Sequence, residues 1–278
     1  MPLTGKARLA GVVGWPVSHS RSPLLHNHWL ARYGIDGAYV PLAVAPGMLE
    51  TALRGLQAAG FAGVNVTVPH KEAAAALCDR LEPSARDTGS ANTLVFTADG
   101  EILGSSSDGQ GFIASLRATG VDPCAGPVLL LGAGGAARAI AAALLDCGVA
   151  VLVANRTLER AQALARTLPG VGVVPWQEWP AHLGGARLLV NTTSLGMTGQ
   201  DPLAADLSHA LPALVVADIV YVPHETLLLS QARARGLRTV PGIGMLLHQA
   251  VPGFTAWFGR KPEVDEAAME ALGGIAPA

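Results

Sequence analysis

The run from Gly63 to Glu72, GVNVTVPHKE, holds the densest chemistry in this chain. Val64, Val66 and Val68 read as a buried strand that Pro69 halts, and the alanine run after Lys71 reads as a helix. Lys71 therefore falls in a first helical turn, where the macrodipole disfavours a cation. Surface lysines gather at the opposite end, so an ammonium here suits proton transfer to and from a bound hydroxyl. Taken alone, the residue also reads as a plain solvated lysine.

A second group of residues points to a cofactor. Val128–Leu131 runs into GAGGAA, residues 132–137, and then into an alanine-rich helix. This is G-x-G-x-x-A in its strand–turn–helix setting, with the glycines permitting a tight turn and the helix start facing a pyrophosphate. Gly132, Ala133, Gly134, Gly135 and Ala136 are thus the expected cofactor-binding turn. A glycine-rich turn that merely packs helix on sheet is the plainer alternative. About twenty residues on, an NAD site carries an acid for the ribose 2′-hydroxyl. This chain instead has Asn155, Arg156 and Thr157, with Arg160 one helical turn beyond. Two guanidinium groups suit a dianionic 2′-phosphate, so the expected cofactor is NADP.

These residues need elements to hold them. Strand and helix patterns alternate from Leu9 to about residue 104, including a helix opened by Ser22 and Pro23, a helix over 71–81, and a hairpin of 93–97 with 101–104. A helix follows over 110–118, and Gly/Pro-rich 119–127 looks like a linker edge. A second alternating series then fills 128–236, and 245–272 reads as helices. Alternation of this kind predicts two α/β domains built on mostly parallel sheets. The expected division is a substrate-binding domain at 1–108, a Rossmann-like NADP domain at 109–244, and C-terminal helices at 245–278.

Composition narrows the partners. A net charge of −2 without a basic run argues against nucleic acid and anionic membranes. Charged residues are scarce at 14%, which raises a membrane-spanning reading of 127–145. The three glycines at 132–135 and the recurring polar turns argue instead for a buried strand and helix. The first six residues lack the apolar core of a signal peptide, and three cysteines without C-x-x-C spacing suit free thiols. The expected location is the cytoplasm. No His/Cys/Asp group has metal-ligand spacing, and His26 and His28 read as surface residues.

Four polar segments fall at strand ends or hairpin junctions: His19–Pro23, Asn65–Lys71, Ser90–Thr93 and Ser107–Gly109. In open α/β sheets ligands bind outside the carboxyl ends of strands, where such segments converge. Together with GAGGA, NRT and the late GIGMLLHQ, the motifs HSRSP, NVTVPHK, ANTL and DG make the chain resemble the shikimate dehydrogenase family, from His19 to Gln249. The resemblance implies reversible oxidation of shikimate to 3-dehydroshikimate with NADP, in aromatic amino acid biosynthesis. It implies Lys71 and Asp108 as the catalytic pair, and Ser20, Ser22, Thr67, Asn92, Tyr221 and Gln249 around the substrate. It also places Gly242 beside the nicotinamide and implies that the helices of 245–278 return to the first domain, which brings Gln249 to the substrate.

One departure stands out: the family's Asn-Thr-Asp-Gly is Ser106-Ser107-Asp108-Gly109 here, which loses an amide that would brace the loop. The rival readings are a quinate or amino-shikimate dehydrogenase of the same family, and a catalytically silent metabolite sensor. The sequence leaves monomer and homodimer both open. The carboxylate of the substrate is expected to meet Ser20, Ser22 and Tyr221 rather than Arg21, because the serines share one side of an extended segment.

Overall fold

In the computed structural model, which describes residues 3–273, β1 (Arg8–Gly14) has its last five residues buried. That burial marks a strand covered on both faces. After it come α1 (Ser22–Tyr33), β2 (Gly37–Ala43), α2 (Leu49–Ala58), β3 (Gly63–Val66) and α3 (Lys71–Leu77). The series continues through β4 (Arg80–Leu81), α4 (Pro83–Arg86), β5 (Thr93–Phe96) and β6 (Ile102–Ser105). The sheet order is β2-β1-β3-β5-β6-β4, in which β5 alone runs antiparallel to its neighbours. The parallel part brings the ends of β1 and β3 to the same edge, and the polar segments follow those ends.

A second compact unit, Asp108–Leu246, begins with α5 (Asp108–Ala118), β7 (Val128–Leu131), α6 (Gly135–Asp146), β8 (Val151–Asn155) and α7 (Leu158–Thr167). Then come β9 (Val171–Pro175), a 3-10 helix (Trp179–Gly185), β10 (Leu188–Asn191), β11 (Val215–Asp218), α8 (Leu227–Ala234) and β12 (Arg238–Val240). All six strands are parallel in the order β12-β11-β10-β7-β8-β9. The winding reverses between β7 and β10, the switch point at which such sheets bind ligands. Val128 and Leu130 enter one hydrophobic core while Leu129 and Leu131 enter the other, so β7 is apolar throughout.

α9 (Ile243–Phe258) starts in this unit, and its residues from Leu247 group with the first unit, as does α10 (Glu266–Ala271). The Trp257 indole donates to the Leu94 carbonyl at 3.0 Å and Trp29 donates to Glu263 O at 3.1 Å. Arg32 pairs with Glu263 and Asp265. Trp29, Tyr39, Phe254 and Trp257 are fully buried and pack around one another, which fastens the C-terminal helices to the first sheet. Truncating one of these rings removes about 3–5 kcal/mol.

Several expectations need correcting. His26 is completely buried, stacked 3.9 Å from Tyr39, because α1 turns that face into the aromatic core. The helix from Lys71 stops at Leu77, since Cys78 turns extended and Arg80–Leu81 pair with β6. Ser22 does not cap α1: Arg21 holds the cap position in a helical conformation, so the segment is a turn and not extended. Residues 119–127 lie inside the second unit, where the Gly/Pro-rich stretch joins α5 to β7. The strands β4 and β12, two and three residues long, had no period long enough to announce them, and β9 went unread as well.

Candidate active site

In the first unit the backbone gathers three of the four polar segments. The Asn65 amide donates to Asn92 O at 3.0 Å and to Thr93 Oγ1 at 3.2 Å, while Tyr39 donates its hydroxyl to Asn65 Oδ1 at 2.6 Å. Ala91 N–H donates to the Lys71 carbonyl at 3.0 Å, which seats the start of α3 beside the segment bearing Asn92. His70, buried just ahead of Lys71, lies 2.7 Å from Val44 O through Nε2 and fixes that helix start against the end of β2. Asn92 is buried too. Its amide donates to Ser107 Oγ at 3.1 Å, and its Oδ1 accepts from Ser107 N at 2.9 Å and Thr93 Oγ1 at 3.0 Å. The Ser107 hydroxyl reaches Gln249 O at 2.8 Å, bringing α9 to the same group.

The segment carrying Ser20 and Ser22 follows β1, and Trp15 N–H donates to Val68 O at 3.0 Å. That bond sets the segment next to Thr67, which itself donates its N–H to Val13 O at 2.8 Å. Ser20 Oγ accepts from Ser22 N at 3.3 Å. Arg21 donates to the Leu272 carbonyl at 2.6 Å, so its guanidinium is committed to the C-terminal turn. The direction of Arg21 comes from that bond and not from strand alternation. Ser20, Ser22, Thr67, Lys71 and Gln249 are each partly accessible, whereas Asn92 and Asp108 are buried.

Ser106 bears on the missing amide. Among the described residues its hydroxyl is buried without a hydrogen-bond partner, and its backbone N–H donates to Ser84 Oγ at 3.1 Å. Here the loop is braced by Ser84 and by the Ser107–Asn92 pair. Asp108 follows, fully buried, as the first residue of α5 in the second unit, whereas Lys71 belongs to the first.

The second unit has the geometry of a dinucleotide turn. Gly132 sits at φ +114°, where a side chain is strained, and a Cβ there would lie 2.6 Å from Thr192 Oγ1. Gly134 caps α6 in an extended conformation with open space where its side chain would stand. Ala137 is fully buried, as the close helix–strand contact requires. At the end of β8 the Asn155 amide donates to Thr157 O at 2.8 Å, closing the turn that carries Arg156. Arg156, Thr157 and Arg160 are exposed, and no carboxylate pairs with either arginine among the described residues. This donor set fits an NADP 2′-phosphate and lacks the carboxylate that would accept from a ribose 2′-hydroxyl.

Sequence reasoning missed a buried knot at the ends of β10 and β11. Asp218 Oδ1 accepts from the Asn191 amide and from Val220 N, both at 2.9 Å, and Oδ2 accepts from the Thr226 hydroxyl at 2.7 Å. Burial pushes its carboxyl up to about 6 against the pull of those three donors. The available signal was a single polar residue closing each of two otherwise apolar strands. Tyr221 follows on the loop after β11, partly accessible. Gly242 packs directly on that loop: a Cβ would lie 2.4 Å from Ile219 O. Among the described residues no group of three His, Cys, Asp or Glu side chains could hold a metal, and no helix is long and apolar enough to cross a membrane.

Comparison with known proteins covers most of the chain. Residues 12–94 match the model of the shikimate dehydrogenase substrate binding domain, 122–198 that of shikimate / quinate 5-dehydrogenase, and 242–272 that of the shikimate 5'-dehydrogenase C-terminal domain. The shikimate dehydrogenase (NADP(+)) of Acidiphilium cryptum is 61% identical over 98% of both chains. The structure of shikimate 5-dehydrogenase from Thermus thermophilus, in complex with NADP(H) and shikimate, superposes with TM-score 0.86 at 38% identity, over 95% of this chain and 98% of that one. Quinate dehydrogenase from Corynebacterium glutamicum in complex with NAD gives TM-score 0.85 at 31% identity, over 96% and 97% of the two chains.

Proposed function

The chain belongs to the shikimate dehydrogenase family, and from that premise we propose which of its residues carry the reversible NADP-dependent oxidation of shikimate to 3-dehydroshikimate. The enzyme is an oxidoreductase of aromatic amino acid biosynthesis, with NADP as its cofactor. When bound, NADP supplies the hydride acceptor. The chain must then remove the hydroxyl proton, hold the ring, and keep the acceptor's phosphates in place.

Lys71 takes the proton from the reacting hydroxyl and returns it in the reverse direction. Asp108 accepts a hydrogen bond that keeps hydroxyl and ammonium in line. Ser20, Ser22 and Tyr221 hold the ring carboxylate, while Thr67, Asn92 and Gln249 orient the ring hydroxyls. The glycine turn with Ala133 and Ala136 would receive the pyrophosphate, Arg156 and Arg160 would flank the 2′-phosphate with Asn155 and Thr157, and Gly242, packed on the Ile219–Val220 backbone, would line the nicotinamide pocket. The observation that carries this reading is the seating of Lys71 by the Ala91 N–H, in the same hydrogen-bonded group as Asn92, Ser107 and Gln249.

In this reading residues 1–108 bind the substrate, 109–244 bind NADP, and 245–278 complete the substrate side. The protein works in the cytoplasm as a monomer or homodimer without a nucleic-acid partner, in keeping with a net charge of −2. The test is Lys71→Ala. It should lower kcat by about 10²–10⁴ while leaving shikimate affinity within a few-fold. Near-normal turnover would remove Lys71 from the mechanism.

A further inference from the structure

The Asp218 carboxylate is 2% exposed and accepts three hydrogen bonds from three different places. One comes from the backbone two residues on, immediately before Tyr221. Another comes from Thr226, which also accepts from Leu229 N and so caps α8. The third comes from Asn191, the last residue of β10. Asn191 donates from the same amide to Leu195 O at 3.1 Å, and its Oδ1 accepts from Thr193 N at 3.0 Å and Thr193 Oγ1 at 2.7 Å. Both ends of the loop that bears Tyr221 are therefore fastened to one carboxylate. Its middle is held by Thr198 N donating to Val222 O at 2.9 Å, a bond from the turn that Asn191 organises. Gly242 rests on the backbone of Ile219 and Val220 inside the same loop.

We propose that Asp218 is a positioning residue that sets where Tyr221 and Gly242 stand, and through Tyr221 sets the affinity for the substrate carboxylate. The proposal rests on the reading of Tyr221 as a carboxylate ligand. A carboxylate suits this task because two oxygens accept several bonds at once, and each bond to a charged group is stronger than a neutral one. An asparagine of equal size can keep its oxygen toward Asn191 and Val220, but its amino group then faces Thr226, whose hydroxyl must turn from donor to acceptor. Every bond to the side chain then becomes a neutral one, and the loop is held less firmly at both ends. A purely structural Asp218 would behave differently. Its loss would lower the active fraction, and hence kcat, while the surviving molecules kept their normal KM.

The experiment measures KM for shikimate, kcat and NADP dissociation constant for the full chain and four variants: Asp218→Asn, Thr226→Val, Thr226→Ser and Tyr221→Phe. Tyr221→Phe should raise the shikimate KM by roughly tenfold, the loss of one hydrogen bond to a charged group. Asp218→Asn and Thr226→Val should each raise it by about fivefold or more, with NADP affinity within about threefold. Thr226→Ser, which restores the hydroxyl, should return KM to near the wild-type value. If Tyr221→Phe leaves KM unchanged, the reading of Tyr221 fails. If Tyr221→Phe raises KM while Asp218→Asn and Thr226→Val change only kcat, the positioning role of Asp218 is overturned. Should Asp218→Asn fail to fold, the Thr226 pair decides the matter alone.

Discussion

His26 in the first unit and Asp218 in the second are both buried ionisable groups, and their surroundings are opposite. His26 lies against Tyr39, Trp29, Phe254 and Trp257, and neither ring nitrogen has a hydrogen-bond partner among the described residues. Asp218 has three donors. The imidazole without partners behaves as one more flat ring in an aromatic core and is held neutral, with burial pushing its pKa down to about 3. The carboxylate with partners has a fixed orientation and passes it to the loops it binds. A buried polar group positions its neighbours only when its bonds are made; without them it fills space at the expense of desolvation.

The two groups also titrate in opposite senses, which gives the largest expected effect. For His26 the folded pKa lies below the unfolded one. The unfolded chain takes up a proton as pH falls below 6.5 while the folded chain does not until about 3, so stability is lost across that window. The loss over the whole window is about 5 kcal/mol, at about 1.4 kcal/mol per unit. For Asp218 the folded pKa of about 6 lies above the ordinary 3.8, so its contribution is fully present below 3.8 and lost as pH rises through 6. That amounts to about 3 kcal/mol. Thermal midpoints of wild type, His26→Phe and Asp218→Asn between pH 4 and 7 check both signs. Relative to wild type, His26→Phe should gain stability as pH falls, and Asp218→Asn should gain as pH rises. Parallel curves for all three proteins would abolish the contrast.

A smaller effect separates the units by how they recognise charge. In the proposed reading the second unit offers the exposed Arg156 and Arg160 to a 2′-phosphate, while the first unit commits Arg21 to its own C-terminal turn. Replacing Arg156 by Ala should cost about 1.5–3 kcal/mol of NADP binding and leave NAD binding nearly unchanged. Calorimetry with both cofactors reads this directly. Equal losses would show that Arg156 acts on the turn itself.

The cofactor side was legible because a dinucleotide turn is local. Gly132 to Ala137 lie in one run, and the strand, turn and helix around them follow from their own composition. The proposed substrate side draws on residues as far apart as Ser20 and Gln249, which lie in one unit, and only the resemblance to a family connected them. His26 was misread because burial depends on which helix face meets α9, and α1 has no strong apolar stripe to reveal it. The Asp218 knot was invisible because a lone Asp or Asn at a strand end is also an ordinary turn residue. The strand pattern was legible where runs were apolar on both faces, as in β7, and lost where a strand is only two or three residues long, as in β4 and β12.

If this chain oxidises shikimate with NADP through a carboxylate clamp of hydroxyls, the clamp should discriminate between related acids. Quinate adds a hydroxyl at the carbon bearing the carboxylate and should fit that clamp poorly. Initial rates of NADP reduction by the wild-type chain, with each acid across a concentration series, read the difference. The kcat/KM for shikimate should exceed that for quinate by at least about tenfold, or ~1.4 kcal/mol of discrimination. Equal values for the two acids would contradict the clamp, and no reduction with shikimate would contradict the reaction itself.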